Sequence, residues 1–414
     1  MASKRLPEQQ PHAPAPKRPR HVDIFNRYDQ PESVKVAFKS PGYLDKIASN
    51  VERNGYCVVT GVRTPEECAG IKQRLITELV TPLLPGVEAF ADFKWREFLP
   101  GSLKGMFQCG AAGHVQVRWD LLQDPLIAGI WSHLYSKIGE TKLEEGNGTA
   151  FSNHARKYGP ADMLASFDAV CVREKQVPPS RKIPNSNSTW YHLDQTALSA
   201  ERIGYAHGGL RSLQGFFTAE DMPKSGTPLR VYPFSHKHHA AIIAALGSKP
   251  SPRNWLKLKP GDHTKIGEAT RGEVDEMLYV DAPPGSIVLW DSRTIHMGGK
   301  SETGYEEHDR VVMYIAYQPR SFAGRSVRRT KKLGCRKEAH KKVMQKRAVA
   351  FYERRTTTHL CEGCSVFKPP RWTNKAPDTA KEFWKSPGKF VPMPVLTEFG
   401  KSLVGDYSIV EDLM

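Results

Sequence analysis

The sequence predicts a mainly β fold with flanking helices, arranged as an antiparallel sandwich or barrel. Short apolar runs of strand length follow one another between residues 165 and 317, and Gly or Pro turns separate them. The chain shows neither an alternating strand–helix rhythm nor a GxGxxG motif, which disfavours a doubly wound parallel sheet. We therefore predict strands over 165–172, 213–218, 229–232, 286–290 and 310–317.

One strand and two helices are predicted before this region. Residues 56–59 (YCVV) have the composition of a strand. Thr64 is suited to cap a helix whose first position is Pro65, and a second helix begins at Pro125. Both helices carry apolar residues at helical spacing, which is typical of a face packed on a core.

Length and composition limit the organisation of the chain. It has 414 residues, of which 39% are hydrophobic, enough for one large domain with appendages. We divide it into a disordered basic tail (1–33), a β-rich domain with N-terminal helices (34–320) and a basic helical extension with a tail (321–414). We expect no membrane span and no secretory signal. The seven Cys residues, mostly scattered, predict free thiols in a reducing compartment.

Basic residues are concentrated in two places along this chain of net charge +16. Clusters within residues 4–20 resemble a bipartite nuclear localisation signal, so we predict the nucleus, with the cytoplasm as the alternative. Residues 320–355 hold fourteen Lys or Arg against two Glu, a net charge of +12, and the spacing predicts a helix over 336–355. This block predicts contact with nucleic-acid phosphates, and its alternative is a solvated basic helix packed on the barrel.

The stretch WYHLDQ (190–195) contains a His and an Asp two residues apart. Successive side chains of a strand alternate between its faces, so His192 and Asp194 would aim at one point. An imidazole and a carboxylate are two ligands of the facial triad of non-haem Fe(II) oxygenases, whose third ligand is a distant His. His296 follows a strong predicted strand and precedes a Gly-rich turn, which makes it the candidate. An isolated HxD is more often an ordinary polar strand, and the later His is what favours the metal site.

A triad of this kind leaves adjacent positions on the metal that 2-oxoglutarate chelates. The second carboxylate of 2-oxoglutarate needs a cation, and the planar fork of Arg pairs with carboxylates through two hydrogen bonds. Arg310 begins the last strong predicted strand, and we predict that it anchors 2-oxoglutarate. Arg293 is the alternative, and we interpret it as a structural partner of Asp291.

The order of these segments resembles the phytanoyl-CoA dioxygenase family. The resemblance rests on HxD at 192–194, GTPLRVYPFSH at 226–236, PPGSIVLWDSRTIH at 283–296, Arg310, NGYCVVTGV at 54–62 and, more loosely, VQVRWD at 115–120. It covers about residues 50–320 and is specific as a combination rather than piece by piece.

The resemblance implies a double-stranded β-helix core of the jelly-roll or cupin-like kind. It implies Fe(II) bound by His192, Asp194 and His296, with 2-oxoglutarate anchored by Arg310. Three further residues are candidates for the pocket lining by resemblance or adjacency, although each residue type there is more often core: Gln116, Tyr191 and Phe216. Halogenases of the family replace the ligand carboxylate by a small residue, so Asp194 favours hydroxylation.

These observations predict an Fe(II)/2-oxoglutarate-dependent dioxygenase that acts on a small-molecule or acyl-type substrate. The alternative from another class is a nucleic-acid-binding protein on a catalytically silent barrel, using residues 320–355. The sequence favours no particular oligomeric state. The motif Cys361–Cys364, with His359 and either Cys335 or His340, suggests a small zinc site, whose alternative is a set of unligated thiols.

Overall fold

Two β-sheets pack face to face, and helices cover the outer face of the larger one. The computed structural model describes residues 30–84, 86–92, 105–108, 110–140, 157–175, 190–195, 212–224, 226–247, 255–274, 277–298, 308–324, 334–361, 363–368 and 378–414. The basic clusters within residues 4–20 lie outside the described residues. In the described ranges, no helix is long and apolar enough to cross a membrane.

The sheets are built from short strands, as the spacing of the turns predicts. The described residues contain β1 (Lys35–Ala37), β2 (Tyr56–Thr60), β3 (Met106–Phe107), β4 (Met163–Ala165), β5 (Val170–Arg173), β6 (His192–Leu193), β7 (Leu213–Thr218), β8 (Leu229–Val231), β9 (Leu256–Lys257), β10 (Leu278–Val280), β11 (Ser286–Asp291), β12 (His296–Gly298) and β13 (Arg310–Pro319).

The larger sheet has the order β1–β2–β11–β7–β13–β5–β3, with β4 also paired to β13, and the smaller sheet has the order β10–β8–β12–β6–β9. β1 and β2 run parallel. The central strands β11, β7 and β13 pair antiparallel over long registers. The predicted mainly β class with a double-stranded β-helix core is confirmed.

Side chains of the larger sheet alternate between two cores because the pleat has a period of two residues. Val58, Phe216 and Val288 point inward and meet Val231 and Val280 of the smaller sheet. Their sequence neighbours, among them Val59, Phe217 and Ile287, turn outward and pack against the helices. The interior between the two sheets, which we call the chamber, therefore has apolar walls, and any polar group inside it needs a partner.

The helices of the described residues are α1 (Tyr43–Asn54), α2 (Pro65–Leu75), α3 (Gln116–Leu122), α4 (Pro125–Glu140), α5 (His239–Ala245), α6 (Asp262–Ala269), α7 (Gly334–Tyr352), α8 (Asp378–Lys385), α9 (Glu398–Val404) and α10 (Tyr407–Leu413). α2 begins where the sequence predicts. The Thr64 hydroxyl accepts a hydrogen bond from the Glu67 amide at 3.3 Å, and the Glu67 carboxylate accepts one from the Thr64 amide at 2.7 Å.

The prediction of one continuous strand over 165–172 is wrong. β4 ends at Ala165, β5 begins at Val170, and the backbone between them turns to a distant partner. The Phe167 amide donates to the Thr357 hydroxyl at 3.2 Å, and the Thr357 amide donates to the Phe167 carbonyl at 2.7 Å. Because Thr357 is almost two hundred residues away from Phe167, the local sequence of residues 165–172 does not indicate this interruption.

The C-terminal region is part of the same core rather than a covering. α7 matches the helix predicted over 336–355, and its buried side holds Val343, Met344 and Phe351. The described part of the chain after residue 365 forms three helices, which bury Trp384 and Leu403 in the core outside the larger sheet. The predicted boundary at residue 320 stays a prediction.

Candidate metal centre

Two neighbouring strands of the smaller sheet bring the two histidines together. β6 pairs with β12 antiparallel, and His192 lies directly opposite His296. Their ring centroids are 4.2 Å apart. Asp194 follows β6, and its amide donates to the Ser292 carbonyl at 3.3 Å. Side chains directly opposite on an antiparallel pair share one face of the sheet, so the register itself gathers the three groups.

The turn that leads into β12 is held by Gly55, which follows α1. Gly55 has φ of +85°, and its carbonyl accepts from the Asp291 amide at 2.9 Å and from the Thr294 hydroxyl at 3.1 Å. A Cβ at Gly55 would lie 2.5 Å from Thr294 Oγ1 and 2.6 Å from His236 Nδ1. Only glycine fits this close approach and this left-handed backbone. The segment NGYCVVTGV therefore fixes the loop from which His296 projects.

The three side chains converge on a point that a single ion would occupy. His192, Asp194 and His296 each offer one ligand atom, and these atoms all lie within 4.8 Å of one another. His192 Nε2 is 3.7 Å from Asp194 Oδ1, and His296 Nε2 is 3.3 Å from Asp194 Oδ2. It is the only group of three or more such residues found among the described side chains.

Backbone carbonyls fix the tautomer of both histidines. His192 Nδ1 lies 2.9 Å from the Trp190 carbonyl, and His296 Nδ1 lies 2.9 Å from the Thr294 carbonyl. A carbonyl oxygen only accepts, so each Nδ1 carries the proton and each Nε2 turns a lone pair towards the centre. This arrangement orients the metal ligands through their second ring nitrogen.

Burial keeps the donor set in the form that a metal binds. Burial lowers the pKa of His192 to about 4, so the ring is neutral at neutral pH. Burial alone would raise the pKa of Asp194, but the neighbouring imidazoles of His192 and His296 hold it well below its usual range. Gln214 of β7 donates from Nε2 to Asp194 Oδ2 at 2.6 Å and orients the carboxylate.

The chemistry of this donor set fits Fe(II). Two imidazoles and one carboxylate gathered around one point are the facial set of non-haem iron oxygenases. The Nε2 lone pairs of His192 and His296 face the carboxylate oxygens of Asp194 at 3.7 and 3.3 Å, and these electron-rich atoms repel. A cation between them would remove the repulsion.

A second polar group inside the chamber is centred on Arg310 at the start of β13. Arg310 is 4% exposed, its guanidinium lies 5.6 Å from the centre of the Phe216 ring, and it donates to the Thr227 carbonyl. Its cross-strand neighbour Arg173 donates to the Thr227 hydroxyl at 2.6 Å. Within the described ranges, no acidic side chain lies within ion-pair distance of Arg310. A buried cation with no acidic partner among the described side chains is suited to receive an anion.

Arg293 is occupied elsewhere. Its guanidinium lies 2.5 Å from Asp291 and donates to both carboxylate oxygens, and both residues are buried. Although burial raises the pKa of Asp291, the charge of Arg293 lowers it to about 2. The structural pairing that we inferred for Arg293 is thus observed.

Two of the predicted pocket residues need correction. Tyr191 turns away from its neighbour His192 and packs with Tyr232 at 5.4 Å and His263 at 5.5 Å, on the opposite side of the strand. The amide of Gln116 bonds Asp120 at 2.7 Å and accepts from the Val395 amide at 2.7 Å. It therefore ties α3 to the C-terminal segment. Phe216 does line the chamber, as the Arg310 contact shows.

His359 belongs to the surroundings of the triad, although no sequence pattern indicated this. Burial is the largest cause of the lowered pKa of His192, and the charge of His359 is a smaller one that acts on Asp194 as well. His359 lies between Thr357 and Cys361, and Cys361 Sγ donates to the Leu164 carbonyl at 3.3 Å. We call residues 356–367 the C-terminal hairpin, because Thr357 and Val366 form an antiparallel bridge.

The cysteines of this hairpin are buried thiols. Burial raises the pKa of Cys361 to about 11, and it raises the pKa of Cys364 as well. A zinc ligand is a thiolate, so this setting favours the protonated and unligated form. The side chain of Cys335 lies outside the described residues.

Comparison with known proteins agrees with this geometry. Residues 119–305 match the family model of phytanoyl-CoA dioxygenase. A protein of Salmonella typhimurium LT2 superposes with a TM-score of 0.52 at 12% identity, covering 91% of this chain and 87% of that one. The hypothetical protein JW0805 from Escherichia coli gives 0.51 at 12% identity, covering 89% and 85%. Both likenesses show the fold.

A third similar structure is the epimerase SnoN in complex with Fe3+, alpha-ketoglutarate and nogalamycin RO. Its TM-score is 0.40 at 17% identity, covering 68% of this chain and 86% of that one. A comparison with curated proteins gave no match. The family match confirms the resemblance read from the sequence and, with the donor set, identifies a dioxygenase-type oxidoreductase with iron and 2-oxoglutarate as cofactors.

Proposed function

From the phytanoyl-CoA dioxygenase domain that this chain carries, we propose that it hydroxylates a C–H bond of a small-molecule substrate. The convergence of His192, Asp194 and His296 carries this proposal. When bound, Fe(II) supplies the activation of O₂, which puts one oxygen atom into succinate as 2-oxoglutarate loses CO₂ and the other into the substrate.

The residues of the chain bind and orient the reactants. His192 and His296 present Nε2 to the metal, and Gln214 keeps the Asp194 carboxylate turned towards it. Arg310 would hold the distal carboxylate of 2-oxoglutarate, because it is buried and has no acidic partner among the described side chains, whereas Arg293 is paired with Asp291. Phe216 and Trp290, 5.9 Å apart, exclude water from the chamber.

The carboxylate of Asp194 supports hydroxylation rather than halogenation. A halide needs a position on the metal, and the Asp194 carboxylate, whose oxygens lie 3.7 and 3.3 Å from Nε2 of His192 and His296, would occupy that position. Halide therefore should not enter the products of this site.

Labelled oxygen tests the proposal. The protein, supplied with Fe(II), 2-oxoglutarate and ¹⁸O₂, should release succinate that carries one ¹⁸O atom, slowly even without substrate. Mass spectrometry of succinate measures this. Unlabelled succinate, or equal label in His296→Ala, would sink the proposal.

The exposed side of α7 supports a second candidate function, contact with nucleic acid. Lys337, Lys341, Lys342 and Lys346 are all exposed on this helix. Each lysine that meets a phosphate releases counterions, so affinity should fall steeply with salt. Fluorescence anisotropy with duplex DNA over a salt series measures the slope. A slope that persists in the Lys341→Gln/Lys342→Gln/Lys346→Gln variant would exclude this surface.

A further inference from the structure

A groove of about 620 Å³ lies between α7 and the C-terminal hairpin. From α7 it is lined by Lys342, Lys346 and Val349, whose spacing of four and three residues places them on one face of the helix. From the hairpin it is lined by Val366. Among the described residues, its lining shares no side chain with the metal centre.

The groove exposes aliphatic side chains to water. Val349 is 40% exposed and Val366 is 42% exposed. Neither belongs to any of the three hydrophobic cores of the described residues. Exposed apolar side chains in a concave surface with a polar rim are typical of a site for a protein partner, because its apolar side chains can cover them.

The rim of the groove is basic. Lys342, Lys346 and Arg355 line it together with one acidic residue, Glu353. Glu353 pairs with Arg355 at 3.3 Å, and Lys342 lies 4.0 Å from Glu338. In the part of the chain that the structure describes, Lys346 makes no ion pair. The groove therefore carries an excess of positive charge, which is complementary to an acidic partner.

The hairpin has an open strand edge at Val366. The Thr358 amide donates to the Ser365 carbonyl at 2.9 Å, and the Phe367 amide donates to the Thr356 carbonyl at 3.1 Å. In an antiparallel bridge with this pattern, the amide and carbonyl of Val366 point away from the partner strand. Neither makes a hydrogen bond with another described residue. An extended peptide adds to such an edge through main-chain hydrogen bonds.

These features together favour a peptide over a nucleic acid. A nucleic acid would use the lysines of the rim, but its phosphates have no use for Val349, Val366 or an open strand edge. Bases stack on aromatic rings, and no aromatic residue is among the described side chains that line the groove. A peptide can use the charge, the aliphatic side chains and the edge at the same time.

We propose that this groove binds an extended acidic segment of a partner protein. The segment adds a strand beside Val366, places aliphatic side chains against Val349 and Val366, and directs its acidic side chains towards Lys342 and Lys346. Aliphatic residues two positions apart in the segment would face the groove together, because side chains alternate along a strand. The surface is thus an interaction site that is independent of the dioxygenase chemistry.

Fluorescence anisotropy with the full-length protein and labelled heptapeptides tests the groove. The peptide EDVEVDE should bind about tenfold more tightly than EDSESDE, which has the same charge and no aliphatic side chains. The basic peptide KKVKVKK should bind more weakly than either. N-methylation of one set of alternate amides in EDVEVDE should abolish binding, whereas methylation of the other set, which faces solvent, should not.

Variants assign the binding to the groove. Val349→Ser/Val366→Ser should weaken the binding of EDVEVDE by about tenfold, and Val395→Ser, at a valine that is 78% exposed elsewhere, is the matched control. Lys346→Glu should weaken it by about fivefold. Lys341→Glu, at an exposed lysine of the same helix that does not line the groove, should weaken it less. Circular dichroism shows whether each variant keeps the fold.

Several results would overturn the proposal. Equal binding of EDVEVDE and EDSESDE, equal binding by wild type and the double valine variant, or no binding of EDVEVDE would each do so. Equal effects of the two N-methylated peptides would rule out strand addition. A DNA duplex that loses affinity in Val349→Ser/Val366→Ser would assign the groove to nucleic acid instead.

Discussion

At the scale of the residue, the site depends on the hydrogen bonds that orient each ligand. Each histidine is fixed through Nδ1 by a backbone carbonyl, so no side-chain substitution can remove that contact. Asp194 differs, because its orientation depends on the side chain of Gln214 at 2.6 Å. Gln214 is therefore the position at which orientation can be tested without touching a ligand.

Replacing Gln214 by Leu should weaken Fe(II) binding by about 10- to 100-fold, the usual effect of losing a partner that orients a metal ligand. Competition with a chromophoric chelator under anaerobic conditions measures the affinity. Gln345→Leu, at an exposed glutamine of α7, is the control. Equal affinity in Gln214→Leu and wild type would show that Asp194 needs no such support.

The sequence could predict part of the site at this scale, and physical reasons explain the rest. Period-two alternation placed His192 and Asp194 on one face, and the same rule should have excluded Tyr191, which is the neighbour of His192 and faces the other core. The prediction that Gln116 lines the pocket rested on resemblance alone. His359 comes from the C-terminal hairpin, whose position depends on contacts with Leu164 and Phe167 that no local pattern encodes.

At the scale of the element, the turn before β12 depends on Gly55. Gly55→Ala brings a Cβ within 2.5 Å of Thr294 Oγ1 at a φ of +85°. We expect a loss of more than about 1 kcal/mol in the free energy of unfolding, and weaker Fe(II) binding because His296 shifts. Chemical denaturation and the chelator competition measure the two effects.

Gly70 supplies the control for this prediction. It lies in α2, where an added Cβ meets nothing within 4 Å. Gly70→Ala should stabilise the protein slightly, because Ala favours the helix by about 0.8–1 kcal/mol. Equal effects of the two substitutions would contradict the role given to Gly55.

The elements themselves were predictable where the signal is local. The capping residues of α2 and the apolar runs of β7 and β11 are read directly from the sequence. The interruption between β4 and β5 was not predictable, because the bonding partner of Phe167 is Thr357. Likewise, the burial of Trp384 depends on a core that the β-sheet supplies.

At the scale of the whole molecule, the C-terminal region and the β core are joined at His114. Its ring is completely buried, its Nε2 lies 2.9 Å from the Arg355 carbonyl, and it packs on Phe167 at 4.9 Å and Phe351 at 5.4 Å. Burial lowers the pKa of His114 from 6.5 to about 3. The folded protein therefore keeps this ring neutral where the unfolded chain would protonate it.

This shift predicts a direction for stability against pH. As pH falls from about 6.5 towards 3, the unfolded chain binds a proton that the folded state refuses, so stability falls. In His114→Gln, stability should fall less steeply between pH 7 and pH 4 than in wild type. The midpoint of thermal unfolding, followed over this pH range, measures the difference. Val343→Ala, which removes apolar contact and no titratable group, should lower the midpoint while keeping the wild-type slope. An unchanged slope in His114→Gln would contradict the prediction.

The central claim is that His192, Asp194 and His296 hold one iron that consumes 2-oxoglutarate. The most direct test is the rate of succinate release with Fe(II), 2-oxoglutarate and O₂, compared between wild type and Asp194→Ala, with Lys346→Ala as the surface control. The account predicts iron-dependent succinate from wild type and Lys346→Ala, and a loss of at least about 100-fold in Asp194→Ala. Succinate release that is equal in all three proteins, or absent from wild type loaded with iron, would contradict it.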